Sequence, residues 1–381
     1  MFFEDIPGQQ SAKDYLVQLV DQNRIPHAML FVGNEGQGKM ALVTAFVNYL
    51  LCQNKQNGQA CKICKSCKQT NEFVHPDVHF SFPVIKKDKL KREDTTSQHF
   101  LPEWRSFLKD LPYGDINSWL SSLGALDKQA NINVAECNHM IKNLSLQAYS
   151  GGYKIQIVWM AEYLGKEGNR ILKLIEEPTD DTVIILISND KERLLNTIIS
   201  RCQLINIPPF GDNQIQSYLK DKWDLEPEDA QELAFMAAGN LRKAIQLADH
   251  QGQNFSEDLL DWIRVAYTSD PEKIIAFIDN FSSIGKQQLI NFIEYGLHFF
   301  QEYLHLINGF DLENLRLTNT EKQVAQKMQK IIDANKTSTI RTEFESAIMQ
   351  IKRNLSVKVL LMKMTIEINH ILKSEVNKFV P

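Results

Sequence analysis

Apolar residues along this chain change their period part-way through. Two short unbroken apolar runs, Ala28–Val32 and Thr182–Ser188, suit strands buried on both faces. Lys154–Met160 and Gln203–Ile207 read as two further strands. Between these runs the apolar positions recur at helical spacing. Helices are expected over Ala41–Leu51, Val134–Leu146, Gly168–Glu177 (stopped by Pro178) and Lys191–Thr197. Strand–helix alternation of this kind predicts an α/β domain with a mostly parallel sheet.

After Pro208-Pro209 the strand signals stop. Residues 210–250 read as a small helical unit, and from Phe255 onward only helical periodicity remains. In Val357–Ile371 the apolar positions Val357, Leu360, Leu361, Met364, Ile368 and Ile371 recur three or four residues apart, with Lys358, Lys363 and Glu367 between them. That stripe predicts a core or helix–helix face. Residues 83–130 have no clear period. Their mixed charge run, Lys86–Asp94, reads as a solvated loop, because acidic residues interrupt the basic ones.

Length and charge narrow the class. A chain of 381 residues predicts two or three domains, and 43% hydrophobic content is ample for real cores. The net charge of −5 excludes a global basic signature, so any nucleic-acid partner must be met by a local patch or another subunit. No apolar run reaches the roughly 20 residues that span a bilayer. The Met1–Asp5 segment is acidic where an export signal is basic. A cytoplasmic protein with no membrane partner is expected.

Gly33-Asn34-Glu35-Gly36-Gln37-Gly38-Lys39 fits G-x-x-x-x-G-K, between an expected strand and an expected helix. In such a P-loop Gly33, Gly36 and Gly38 let the backbone wrap phosphates, and Lys39 reaches the terminal ones. The next position should carry a hydroxyl for magnesium, yet it holds Met40, whose thioether has little affinity for a hard cation. The strand ending at Trp159-Met160 lacks the acidic residues that hold magnesium and activate water. Glu162, slightly further on, reads as an ordinary surface residue. With both elements missing, no hydrolysis is expected of this degenerate site; the surviving Gly38 and Lys39 leave ATP or ADP binding open.

Four of the six cysteines crowd together as Cys52-x8-Cys61-x2-Cys64-x2-Cys67. C-x2-C spacing lets paired thiolates meet one tetrahedral ion, so a structural zinc is expected, with an iron–sulfur cluster as the sharper alternative. Lys55, Lys62, Lys65 and Lys68 surround the cluster and would offset its charge. His75 and His79 read as surface or packing residues.

Several short motifs then line up in order. They are Phe3–Gln9, Arg24–Ala28, the cysteine cluster ending in His75-Pro76-Asp77, Asn169–Pro178, Ile198-Ile199-Ser200-Arg201-Cys202 and Gly239–Ala244. In this order and spacing the chain resembles the AAA+ clamp-loader subunits of bacterial DNA polymerase III, and within them the delta-prime type. The matching residues span about 1–250; residues 251–381 fit only by position and helical pattern.

The resemblance implies a P-loop AAA+ α/β domain at 1–207 with a zinc module inserted at 52–77. A helical lid at 208–250 and an all-α collar for oligomerisation at 251–381 would follow. It implies that Arg201 projects into a neighbouring subunit's ATP site as a trans arginine finger. The competing reading of Arg201 is a salt bridge within its own chain. Arg242 occupies the sensor-2 position, which in active relatives approaches the γ-phosphate; Asn189 lies near sensor 1. Cys202 is expected to pack. Motor subunits of the family keep the P-loop hydroxyl and an acidic pair, so Met40, Trp159 and Met160 point away from a motor.

The implied function is that of a non-motor subunit assisting the loading of a sliding clamp onto primed DNA. Its implied partners are gamma/tau-like and delta-like subunits of the DNA polymerase III holoenzyme, the clamp and the DNA. The alternatives are an active clamp-loader ATPase subunit, and a zinc-bearing nucleic-acid-binding module with a vestigial P-loop.

Overall fold

A computed structural model describes residues 1–87, 90–249, 255–353 and 355–374; Asp88 and Lys89 of the mixed charge run lie outside the described residues. The described residues divide into two compact units. One is Met1–Tyr218 with Ala237–Lys243, the other Leu219–Met236 with the chain from Ala244 onward.

The first unit is built on β1 (Ala28–Val32), β2 (Val78–Ser81), β3 (Lys154–Trp159), β4 (Thr182–Ser188) and β5 (Gln203–Asn206). They form one sheet in the order β2-β3-β4-β1-β5, and every pairing is parallel. The register sets Ala28 against Ile184, Met29 against Gln203 and Ile155 against Val183. Every residue of β1, β3 and β4 is buried, as expected for central strands covered on both faces. The helices of this part are α1 (Gln10–Asp21), α2 (Lys39–Leu51), α3 (Lys65–Asn71), α4 (Leu101–Asp110), α5 (Ile116–Ser122), α6 (Val134–Ser145), α7 (Leu172–Glu176) and α8 (Asn196–Ile199). Met140 and Leu144 of α6 share a core with Leu30, Val158, Ile184 and Leu186 of the sheet.

Beyond β5 the regular structure among the described residues is helical. It runs through α9 (Asp212–Trp223), α10 (Pro227–Ala237), α11 (Leu241–Asp249), α12 (Phe255–Thr268), α13 (Pro271–Ser283), α14 (Lys286–Ile307), α15 (Asn319–Met328), α16 (Ala334–Lys352) and α17 (Val357–Lys373). The second unit has its own core, rich in rings such as Trp262, Phe281, Phe292, Phe299, Tyr303 and Phe344. Gly296 of α14 faces α16 so closely that a Cβ there would lie 2.1 Å from Phe344 Cε1. The α17 stripe is core as its spacing predicts. Leu360, Leu361, Met364 and Ile368 are buried, and Val357 and Ile371 pack against them. No described helix is long and apolar enough to cross a membrane.

Two local expectations are corrected. The helix expected over Gly168–Glu177 is a 3-10 run, Ala161–Ile171, broken at Gly165 (φ 50°, ψ −133°), followed by the short α7. Gly168 sits against Ile198, where a Cβ would lie 2.9 Å from its Cδ1. The helix expected over Lys191–Thr197 is split into a 3-10 turn, Lys191–Arg193, and α8. Between them Leu194 is extended and buried in the sheet core, and burial of that side chain outweighs the weak helical preference of the segment.

The stretch that showed no clear period holds α4 and α5, which pack around aromatic rings. Trp104 of α4 stacks on Phe82 at 4.1 Å between centroids and meets Trp119 of α5 edge-on at 5.2 Å. Both tryptophans are fully buried. The Trp119 indole nitrogen donates to Pro83 O at 2.9 Å.

Candidate functional site

The P-loop runs from the end of β1 into the first turn of α2. Gly36 and Gly38 both take the left-handed region, at φ 72° and 74°, so the motif adopts the backbone its glycines permit. Lys39 is buried, and its Nζ donates to Gly33 O and Asn34 O, each at 2.6 Å. The P-loop lysine is thus satisfied by carbonyls of its own loop. Burial lowers the Lys39 ammonium from its ordinary value to about 8, while Glu162 and Glu35 act in the opposite sense.

Glu162 corrects the sequence reading. It is not a surface residue but is 6% exposed, and Asn189 N donates to its Oε1 at 3.2 Å. Asn189 also donates through Nδ2 to Met160 Sδ at 3.5 Å. Met160 adopts φ 57° at the end of β3, a turn that swings Glu162 inward. The run β3–Trp159–Met160 offered no periodic signal for that turn. Met40, Trp159 and Met160 are all buried, so soft and apolar groups stand where hard-cation ligands were sought.

Arg242 donates through Nη2 to Ser118 Oγ of α5 at 3.0 Å, and the start of α11 covers the loop, with Leu241 N donating to Gly36 O at 3.0 Å. A Cβ on Gly36 would lie 1.7 Å from Asn240 Oδ1. Arg242 acts on the charge of Glu35 and so belongs to the surroundings of the P-loop.

Arg201, just past α8, stands apart, and its side chain is 39% exposed. Its Nε pairs with Glu176 Oε1, and Nη1 donates to Thr197 O at 3.0 Å and Ser200 Oγ at 3.3 Å. The in-chain salt bridge weighed from sequence is therefore present, and it braces the guanidinium at the surface. Cys202 packs partly buried against the sheet core.

The four cysteines converge. Cys52 caps the C-terminus of α2, Cys64 caps the N-terminus of α3, and the four Sγ atoms of Cys52, Cys61, Cys64 and Cys67 all lie within 4.8 Å of one another. Sulfurs bound at about 2.3 Å to a tetrahedral zinc sit about 3.8 Å apart; here Cys61 and Cys67 are separated by 4.0 Å. Backbone amides of Cys61, Cys64 and Cys67 donate to the sulfurs of Cys52, Cys61 and Cys64 at 3.2–3.4 Å. The Cys64 amide is the main cause lowering the Cys61 thiol to about 6. The donor set fits a structural metal such as zinc. Of the surrounding lysines, Lys62 pairs with Glu4, and Lys55 donates to Leu50 O at 3.3 Å.

Residues that sequence reasoning missed come chiefly from 83–130. Pro112, Tyr113, Gly114 and Asp115 line the cavity in front of Lys39, beside Glu35. Asp115 caps α5, its Oδ1 accepting from Ser118 N at 2.5 Å. The signal available was the run of rings from Phe100 to Trp119, and Trp159 in a place suited to an acid.

Sheet and loop together define a P-loop α/β protein with a parallel five-stranded core. The family model described as "DNA polymerase III, delta subunit" matches residues 8–211. The chain belongs to this family of clamp-loader subunits, to which its motifs point. It is 24% identical over 234 residues to the DNA polymerase III subunit delta' of Bacillus subtilis, covering 61% of this chain and 57% of that one. It is 25% identical over 243 residues to the delta' subunit of Escherichia coli, covering 63% and 59%. It is 24% identical over 254 residues to the gamma subunit of Buchnera aphidicola, covering 65% and 58%. The chain thus spans less than two thirds of the length of these relatives.

Proposed function

We propose that this chain is a non-motor, delta-prime-like subunit of a DNA polymerase III clamp loader, acting in the cytoplasm. The observation that carries the reading is the set of buried Met40, Trp159 and Met160 around Lys39, where a motor needs groups that hold magnesium. The chain has no ATPase of its own. Its parts are an AAA+ domain at 1–207 with a zinc module at 52–77, a lid at 208–250 and a collar at 251–381. A second stripe on and beside α17 supports the collar role: Leu355, Val359, Met362 and Ile366 are exposed at three- or four-residue spacing, opposite the buried stripe.

Arg201 is the residue through which the chain contributes to hydrolysis. Its guanidinium leaves Glu176 and reaches the ATP site of a neighbouring gamma/tau-like subunit, where it offsets charge on the transferred phosphoryl group. With delta-like and gamma/tau-like partners the assembly opens a sliding clamp and places it on primed DNA.

The test is ATP turnover by the chain alone, then mixed with a motor subunit, clamp and primed DNA. The chain alone is expected to be inactive. Arg201→Ala should lower the rate of the assembled complex by about 10³-fold while leaving assembly intact. An unchanged rate in an assembled mutant complex removes the finger assignment.

A second reading, an active ATPase subunit, has one observation in its favour: Glu162 is buried and acts on the charge of Lys39. Steady turnover by the chain alone, lost in Glu162→Gln and Lys39→Ala, would establish it instead.

A further inference from the structure

The P-loop has a backbone suited to phosphates, yet the cleft in front of it is small. The cavity bounded by Glu35, Lys39, Tyr113, Asp115, Trp159 and Met160 measures about 30 Å³. That is room for about two waters, where a nucleotide-sized ligand needs a pocket of about 300 Å³ or more. We infer that the P-loop of this chain takes a segment of its own polypeptide, Pro112–Asp115, in place of a nucleoside triphosphate. The inference stands whether or not the Arg201 assignment holds.

Three observations converge on it. The segment is in contact with the loop: a Cβ built on Gly38 would lie 3.3 Å from Tyr113 Cε1 and 3.0 Å from Phe210 Cζ. Tyr113 is itself buried, 6.3 Å from the Phe210 ring and 6.1 Å from that of Tyr218.

The segment is also anchored, and by the residue that displaced an expected acid. Trp159, at the end of β3, lies 5.0 Å from the Trp104 ring and 5.8 Å from that of Phe107, both on α4. Helix α4 ends at Asp110, two residues before Pro112. Gly114 makes the turn that follows, its amide donating to Leu111 O at 2.8 Å. Any Cβ there would lie 2.6 Å from Phe107 Cζ, so the turn is pressed against the anchoring ring. Replacing an acid with Trp159 both removes a magnesium ligand and holds the occupying segment in place.

Charge acts in the same direction. Burial, then Asp115, raise the Glu35 carboxyl, with Glu162 adding to the effect, while Lys39 and Arg242 oppose it. Three carboxylates and two cations thus surround a space that phosphates would need to find positive. The cations are also engaged: Lys39 binds Gly33 O and Asn34 O, and Arg242 binds Ser118 Oγ.

The experiment uses the full-length chain and a fluorescent N-methylanthraniloyl ATP with magnesium, read by polarisation. Wild type and Tyr113→Phe should show no saturable binding up to about 1 mM nucleotide. The phenylalanine keeps the ring and drops only a hydroxyl that has no partner among the described residues. The double variant Tyr113→Ala with Asp115→Ala should gain binding that unlabelled ATP competes away and that added Lys39→Ala abolishes.

Saturable binding by wild type overturns the inference. So does a folded double variant, verified by its melting transition, that gains nothing. If that variant does not fold, amide exchange of the wild type with and without about 5 mM ATP decides instead. Unchanged exchange over residues 33–39 and 112–115 supports self-occupancy, and ATP-dependent protection of 33–39 refutes it.

Discussion

Helix α2 has a ligand motif at each end. At its N-terminus Gly38 and Lys39 keep the sequence and backbone of a phosphate loop, but Tyr113 and Asp115 stand in the space ahead and Lys39 is bound to its own loop. At its C-terminus Cys52 meets Cys61, Cys64 and Cys67 with every sulfur within 4.8 Å of the others. The motifs are equally legible, yet one ends as a filled pocket and the other as an assembled donor set. A thiolate cage needs only its own ligands to converge, and short turns arrange that locally. A nucleotide site also needs empty volume and positive potential, and those depend on residues far away in sequence.

Three experiments would break or sharpen this contrast. The largest effect is expected at the cysteine end. Zinc bound by four thiolates contributes folding free energy of about 10 kcal/mol in small modules. Wild type should carry one zinc by metal analysis, and Cys64→Ala should lose it together with amide protection across residues 52–77. A chain that binds no metal after refolding with zinc present would make the two ends of α2 alike.

At the other end, Trp159→Ala removes a ring that is 4% exposed and packed on Trp104 and Phe107. It should cost about 3–5 kcal/mol in urea unfolding and speed amide exchange at residues 112–115. A loss below about 1 kcal/mol would show that the segment is held by something else.

The smallest effect is electrostatic. Lys39 is lowered by burial from 10.5 to about 8 in the fold. Between those values the unfolded chain binds more protons, so this group adds stability as pH rises from about 8 to 10.5 and imposes its full penalty below that window. Lys39→Met should remove about 1–3 kcal/mol of that pH dependence. A stability–pH slope identical to wild type would mean that Lys39 lies in water, as it would in an open loop.

Legibility varied with how local each feature is. The strands Ala28–Val32 and Thr182–Ser188 could be read because central parallel strands are apolar on both faces. The core stripe of α17 could be read because one face of a long helix repeats at fixed spacing. The split around Leu194 could not, because burial of that side chain in the sheet core decides it. Glu162 was misread for the same reason: its burial follows from the left-handed turn at Met160 and the approach of Asn189.

The sequence by itself determined the strand–helix alternation, the P-loop backbone, a methionine at the position after Lys39 and the cysteine spacing, since each depends on neighbours within a few residues. Only the tertiary structure decided that α4 and α5 pack through Trp104 and Trp119 and carry Tyr113 to the P-loop. The physical reason is that ring packing is non-directional and pairs residues without regard to sequence separation. No period marks in advance which rings will meet, or which cavity the chain between them will fill.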